Sequence, residues 1–210
     1  IEQMAAVRDA VGDDIEITFD IHTRLDQRDS VYLCNAVEEL RPYFIEDPVR
    51  SESMQALRAV RAGTNVPIAA GEQFTSKWQF RQIIEEDLID FARIDLCLAG
   101  GFTESRKIAG WCETHYIPLA VHNPLGPVSS AACLQLNLAT SNFAVQEQPR
   151  MPGTMLTDVV PVQIPWEDGY LLPPAGPGLG IEFDREAALA NPFQLTEIPH
   201  LHRADGSFTN

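Results

Sequence analysis

The runs EITFD (16–20), YFIED (43–47), PIAAGE (67–72), FARID (91–95), IPLAVH (117–122) and FAVQE (143–147) decide the fold. Each is short and mostly apolar, the pattern of a buried strand. Each delivers one polar residue at its C-terminal end: Asp20, Glu46, Glu72, Asp95, His122 and Glu147, spaced 26, 26, 23, 27 and 25 positions apart. A period near 25, strand then helix, marks repeated β/α units. Polar residues at the C-terminal ends of parallel strands are where a barrel keeps its chemistry. The expected fold class is therefore α/β, a TIM-type parallel barrel with six β/α units present.

The intervals between the runs carry helical patterns. Residues 1–11 place Ile1, Met4, Ala5 and Val11 on one face, and Gly12 stops the helix. Asp29 or Ser30 is the expected cap of a helix whose inward residues are Val31, Cys34, Val37 and Leu40, ended by Pro42. Further helices are expected near 52–61, over 76–87, after Gly100-Gly101, and from Ala131 to Thr140 beyond the turn-rich NPLGPVSS. Gly71 is expected to let the backbone bend close to a ligand. Residues 151–210 break the period with PPAGPGLG, so the chain divides into a partial catalytic barrel (1–150) and a C-terminal segment (151–210) packing on it or on a further domain. Six units do not close a barrel of eight. Together with a start inside an amphipathic pattern at Ile1, this suggests a piece of a longer protein, with two strands upstream and exposed sheet edges.

A net charge of −15, from 30 acidic and 15 basic residues, argues against nucleic acid or an anionic membrane as partner. No apolar run approaches the ~18–20 residues of a membrane span, and no signal-like start is present. Cys34, Cys97, Cys112 and Cys133 show no CxxC pair, and read as reduced, buried thiols of a cytoplasmic protein. His115, His200 and His202 stand off the ladder as surface or structural residues, and Trp78, Trp111 and Trp166 read as packing residues.

Asp20, Glu46 and Glu72 end three consecutive strands, which lie ~4.8 Å apart in a sheet. Carboxylates that close repel unless a proton or cation sits among them. Oxygen-only donors select a hard ion, Mg²⁺ first; the alternative is three solvated acids. Asp95, one strand before His122, would fix the imidazole tautomer and raise its basicity, as a general base requires. His22, two positions after Asp20, is a second acid/base candidate on the same face of extended chain.

In order, FDIH, FIEDP, AAGEQF, RIDLCLAGG, AVHNPLGP and VQEQ resemble the enolase superfamily. Within it they are similar to the mandelate-racemase-like acid-sugar dehydratases, the galactonate type first. The resemblance runs from about residue 1 to the closing RADGSFTN. It implies an α+β capping domain on a (β/α)7β barrel, with the tail returning to the cap. It implies Asp20, Glu46 and Glu72 as Mg²⁺ ligands and His122, oriented by Asp95, as the base that removes the proton α to the substrate carboxylate. His22 would be the acid for the departing 3-hydroxyl, and Glu147 would hydrogen-bond the substrate carboxylate or the enediolate. The product would be a 2-keto-3-deoxy acid, and a homo-oligomer is the family expectation. Neither Lys77 nor Lys107 stands at a strand end, where the muconate-lactonizing branch would place a catalytic lysine. Racemisation or epimerisation of a 2-hydroxy acid, action on mannonate, gluconate or arabinonate, and a non-catalytic metal-binding homologue remain the competing readings.

Overall fold

The computed structural model describes residues 1–195, 202 and 204–207. Six strands, β1 (Thr18–Asp20), β2 (Phe44–Glu46), β3 (Ile68–Ala70), β4 (Phe91–Ala92), β5 (Leu119–Val121) and β6 (Phe143–Gln146), pair in chain order, all parallel. They form a curled half-barrel, as the ladder predicted. β2, β3 and β5 are buried along their whole length, which is why these runs are continuously apolar. The pairing sets Asp20 beside Glu46, and an isolated parallel bridge between Asp95 and His122 carries the β4–β5 pairing up to the rim.

Helices α1 (Glu2–Val11), α2 (Gln27–Val37), α3 (Met54–Gly63), α4 (Lys77–Glu85), α5 (Leu96–Ala99), α6 (Gly101–Thr114) and α7 (Pro127–Leu138) lead into or follow the strands. Between helices and sheet lies an apolar layer that includes Ile68, Phe80, Ile83, Ile84, Ile94, Ile108 and Leu119. On the other face of the sheet, Phe44, Ala69 and Ala120 cluster with Tyr43 and Phe91. Even offsets along extended chain put Phe44 on the face of Glu46, Phe91 on that of Arg93 and Ala120 on that of His122. That aromatic floor, with Tyr43 and Phe91 ring centres 4.7 Å apart, supports the polar rim above it.

Several local expectations are corrected. On α1 the inward residues are Met4 and Arg8, while Ile1 and Val11 are exposed. Arg8 takes the place of an apolar contact because its guanidinium donates to the carbonyls of Gly12, Ile15, Leu40 and Arg41. Asp26 caps α2 by accepting from the Asp29 N–H, so the helix starts earlier than Asp29 or Ser30; Ser30 is instead buried and donates to the Pro48 carbonyl. Helix α7 absorbs PVSS from the supposed loop, with Pro127 in its first turn, where the missing N–H is harmless. Cys34, Cys112 and Cys133 are buried free thiols, but Cys97 is exposed on the short α5. Trp111 packs against the core, whereas Trp78 and Trp166 are exposed. His115 pairs with Asp87 at 3.0 Å. His200 lies outside the described residues.

Beyond β6, Ile164, Leu171, Leu179 and Ile181 pack against Ala131 and Leu134 of α7. A two-residue hairpin, β7 (Trp166–Glu167) with β8 (Tyr170–Leu171), and α8 (Arg185–Ala190) complete the described chain. Among the described residues no helix is long and apolar enough to cross a membrane.

Gly71 follows β3 with φ 134°, a backbone geometry that only glycine adopts freely. A Cβ there would lie 2.6 Å from Phe80 Cε1, so the missing side chain makes room for a core ring. Gly71→Ala is expected to lower stability by about 2–4 kcal/mol, from backbone strain plus overpacking. The check is the urea midpoint, which should fall with the slope unchanged. A midpoint equal to that of the parent would show that Phe80 yields without cost.

Candidate active site

The strand ends converge on a cleft of about 540 Å³ lined by Asp20, His22, Glu46, Glu72, Arg93, His122 and Glu147, with Phe44 and Val145 among its apolar wall. Every ladder residue except Asp95 lines it, and Asp95 stands directly behind His122. The chain leaves the sheet just after β1 and β2 through left-handed backbone. His22, Thr23 and Asp47 all sit at positive φ, a strained backbone for residues other than glycine.

His122 is the best-defined group. Its Nδ1 lies 2.9 Å from Asp95 Oδ2 and its Nε2 lies 3.2 Å from Glu72 Oε2. Asp95 is itself anchored, its Oδ1 accepting from the N–H groups of Cys97 and Leu98 at the start of α5. These donors and His122 hold the Asp95 carboxyl below its ordinary range, although burial works the other way. Burial also opposes charge on His122, yet the hydrogen bond to Asp95 and the nearby Glu72 carboxylate carry its pKa above the usual value. An ionised Asp95 places the Nδ1 proton and leaves Nε2 as the working nitrogen. On the other side of Glu72, His22 Nδ1 lies 3.5 Å from Glu72 Oε1 and 3.6 Å from Asp20 Oδ2. One carboxylate therefore stands between two imidazoles.

Arg93 is a cleft residue that the ladder missed. It is buried, and its three nitrogens donate to Glu46 Oε1 at 2.5 Å, the Ala120 carbonyl at 2.9 Å and Glu147 Oε2 at 2.7 Å. Glu147 Oε2 also accepts from the Asn123 N–H at 2.7 Å. The signal was a lone cation inside the apolar run FARID, two positions before Asp95 and so on the face of the rim. Asp47 is a second omission: the residue after Glu46 is buried, and its Oδ2 has no partner among the described residues.

Among the described residues, no three His, Cys, Asp or Glu side chains converge as they stand into a metal cage. Glu46 is drawn to Arg93, and Glu72 to the two imidazoles. The donor chemistry nevertheless fits a hard dication, because Asp20, Glu46 and Glu72 offer oxygen only. Burial pushes Glu46 up to about 7, with Asp20 and Glu72 adding to the push while Arg93 resists it. Burial pushes Asp47 up to about 8, reinforced by Glu72, Glu46 and Asp20. Asp20 is raised as well, by burial and by Glu72, against the pull of His22. Carboxylates that penalise one another's charge in this way gain from a cation among them.

A family model described as Enolase C-terminal domain-like matches residues 1–188. The chain is 36% identical over 208 residues to a D-mannonate dehydratase of Caulobacter sp. (strain K31), covering 98% of this chain and 51% of that protein. It is 35% identical over 215 residues to a D-galactonate dehydratase of Ralstonia nicotianae, covering 99% of this chain and 56% of that one. Among solved structures, an enolase from Pantoea ananatis with bound D-gluconate and Mg superposes with a TM-score of 0.84 at 30% identity, covering 90% of this chain and 46% of that one. The chain spans about half the length of the curated relatives it matches.

Proposed function

The chain belongs to the enolase C-terminal domain-like family, and on that premise we propose that the whole protein is a Mg²⁺-dependent sugar-acid dehydratase acting on an aldonate of the galactonate type. The observation that carries this reading is the Asp95–His122 pair facing His22 across Glu72. Proton abstraction followed by loss of a hydroxyl needs a base and an acid on two sides of one substrate, and two imidazoles about a shared carboxylate supply them. Residues 1–150 would carry this chemistry, and residues 151–210 would pack on the barrel and on a capping domain.

Asp20, Glu46 and Glu72 would hold Mg²⁺. When bound, the ion supplies positive charge against the negative charge that builds on the substrate carboxylate as the neighbouring C–H bond breaks. Glu72 committed to a cation leaves His122 Nε2 free to take the α proton, and Asp95 steadies the imidazolium that results. His22 gives a proton to the departing 3-hydroxyl, which leaves as water, and the enol product relaxes to a 2-keto-3-deoxy acid. Glu147 would hydrogen-bond the substrate carboxylate or the enediolate. In the superposed Pantoea ananatis enolase, a sugar acid and Mg are bound together, which supports both halves of the reading.

The test is a panel of galactonate, mannonate, gluconate and arabinonate with the whole protein and Mg²⁺, read as keto-acid formation. One strong substrate whose turnover stops in EDTA is the expected result. If solvent deuterium enters recovered acid and no keto acid forms, the enzyme is an epimerase working through the same proton abstraction. If neither occurs, the proposal fails.

Asp95→Asn gives a finer check. The amide keeps the size of the side chain but cannot stabilise the imidazolium, so kcat is expected to fall on the order of 10²-fold with KM little changed. An unchanged kcat would remove Asp95 from the mechanism.

A further inference from the structure

We propose that Arg93 is a positioning residue: it ties Glu46, on the cation side, to Glu147, on the substrate side, so that the grip on a divalent cation depends on a carboxylate that does not ligate it. The inference rests on the cation reading of Asp20, Glu46 and Glu72 given above.

Arg93 follows β4, Glu46 ends β2 and Glu147 follows β6. Alternate strands of a parallel barrel supply the side chains of one interior layer, and here the even strands supply a carboxylate, a guanidinium and a carboxylate. The rim groups of the odd strands, Asp20 with His22, Glu72 and His122, contact one another, and His122 also meets Asp95 behind it. Arg93 thus holds together the set that has no imidazole. With 4% of its surface exposed, Arg93 leaves little room for solvent to compete with these partners.

The geometry also says what is held. Nε takes Glu46 Oε1 and Nη2 takes Glu147 Oε2, which the Asn123 N–H binds as well, while Nη1 is pinned to the Ala120 carbonyl of β5. Each carboxylate is anchored through one oxygen, and among the described residues its other oxygen receives no N–H donor. A planar fork fixes the direction of both at once; a lysine ammonium, as a point charge, cannot. Side chains that orient a metal's ligands typically contribute 10–100-fold to its affinity, so the effect should be measurable in binding alone.

The experiment is calorimetric titration of Mg²⁺ into the whole protein without substrate, for wild type, Arg93→Lys, Glu147→Gln and the double variant, each with a thermal melt. Arg93→Lys is expected to weaken Mg²⁺ binding about 10–100-fold. Glu147→Gln is expected to weaken it too, but to have no further effect when lysine already stands at 93, because the two act through one contact. Folded Arg93→Lys with wild-type Mg²⁺ affinity would overturn the proposal and leave Arg93 a purely structural group. So would independent, multiplying effects of the two substitutions. If Arg93→Lys does not fold, Glu147→Gln decides alone: unchanged Mg²⁺ affinity overturns the proposal. A wild type that binds no Mg²⁺ removes the cation reading itself, and the proposal with it.

Discussion

Replacing His122 by alanine in the whole protein is expected to lower kcat for sugar-acid dehydration by about 10²–10⁴-fold, the range for loss of a general base. Asp95 would lose its partner but keep its two backbone N–H donors, so the loop after β4 should hold. The side chain is largely buried, and its removal leaves a small polar space that water can fill. Stability should therefore change far less than rate. The check is single-turnover keto-acid formation beside a thermal melt. A variant that keeps a tenth or more of the parent rate would show that another group removes the proton. His22 would then be first in line, since it faces Glu72 from the other side.

The second large effect concerns folding. Arg93→Met is expected to destabilise the protein by about 3–5 kcal/mol, the usual result of removing one partner from a buried ion pair. Glu46 would be left 5% exposed with no cation beside it, next to carboxylates that already raise its pKa. Glu147 is less at risk, because a third of its side chain reaches solvent and Asn123 still donates to it. The physical test is a rescue: adding Glu46→Gln to Arg93→Met should recover part of the loss, since the stranded charge goes with it. Urea midpoints measure both. A loss below about 1 kcal/mol would mean that the cleft admits water to Glu46, as at an exposed pair.

Where the local signal and the tertiary demand agreed, sequence reading succeeded. FIED, PIAAGE and IPLAVH are strands because parallel strands covered on both faces must be apolar throughout, and their polar ends stand out against that background. The same reasoning hid Arg93. Within FARID a charge in the interior of a strand reads as an irregularity, and only the carboxylates of β2 and the loop after β6 explain why it can be buried. Asp47 was hidden by its neighbour Glu46, because alternation assigns one of the two to each face and does not foresee a turn that buries both. The α1 face was misjudged for a related reason. Helical periodicity counts apolar residues, while the group that faces inward there is an arginine satisfied by four carbonyls.

The repeated β/α unit, the order of the strands and seven residues at or just behind the rim are legible along the chain, because a strand end is a local event set by periodicity and turn chemistry. Which of those residues meet is settled by the fold. It placed Glu72 between two imidazoles, put Asp95 behind His122 and joined Glu46 to Glu147 through Arg93, contacts between residues up to 54 positions apart. Those pairings follow from the curl of the sheet, which brings alternate strands together over the barrel axis, and no spacing along a chain encodes a distance across it.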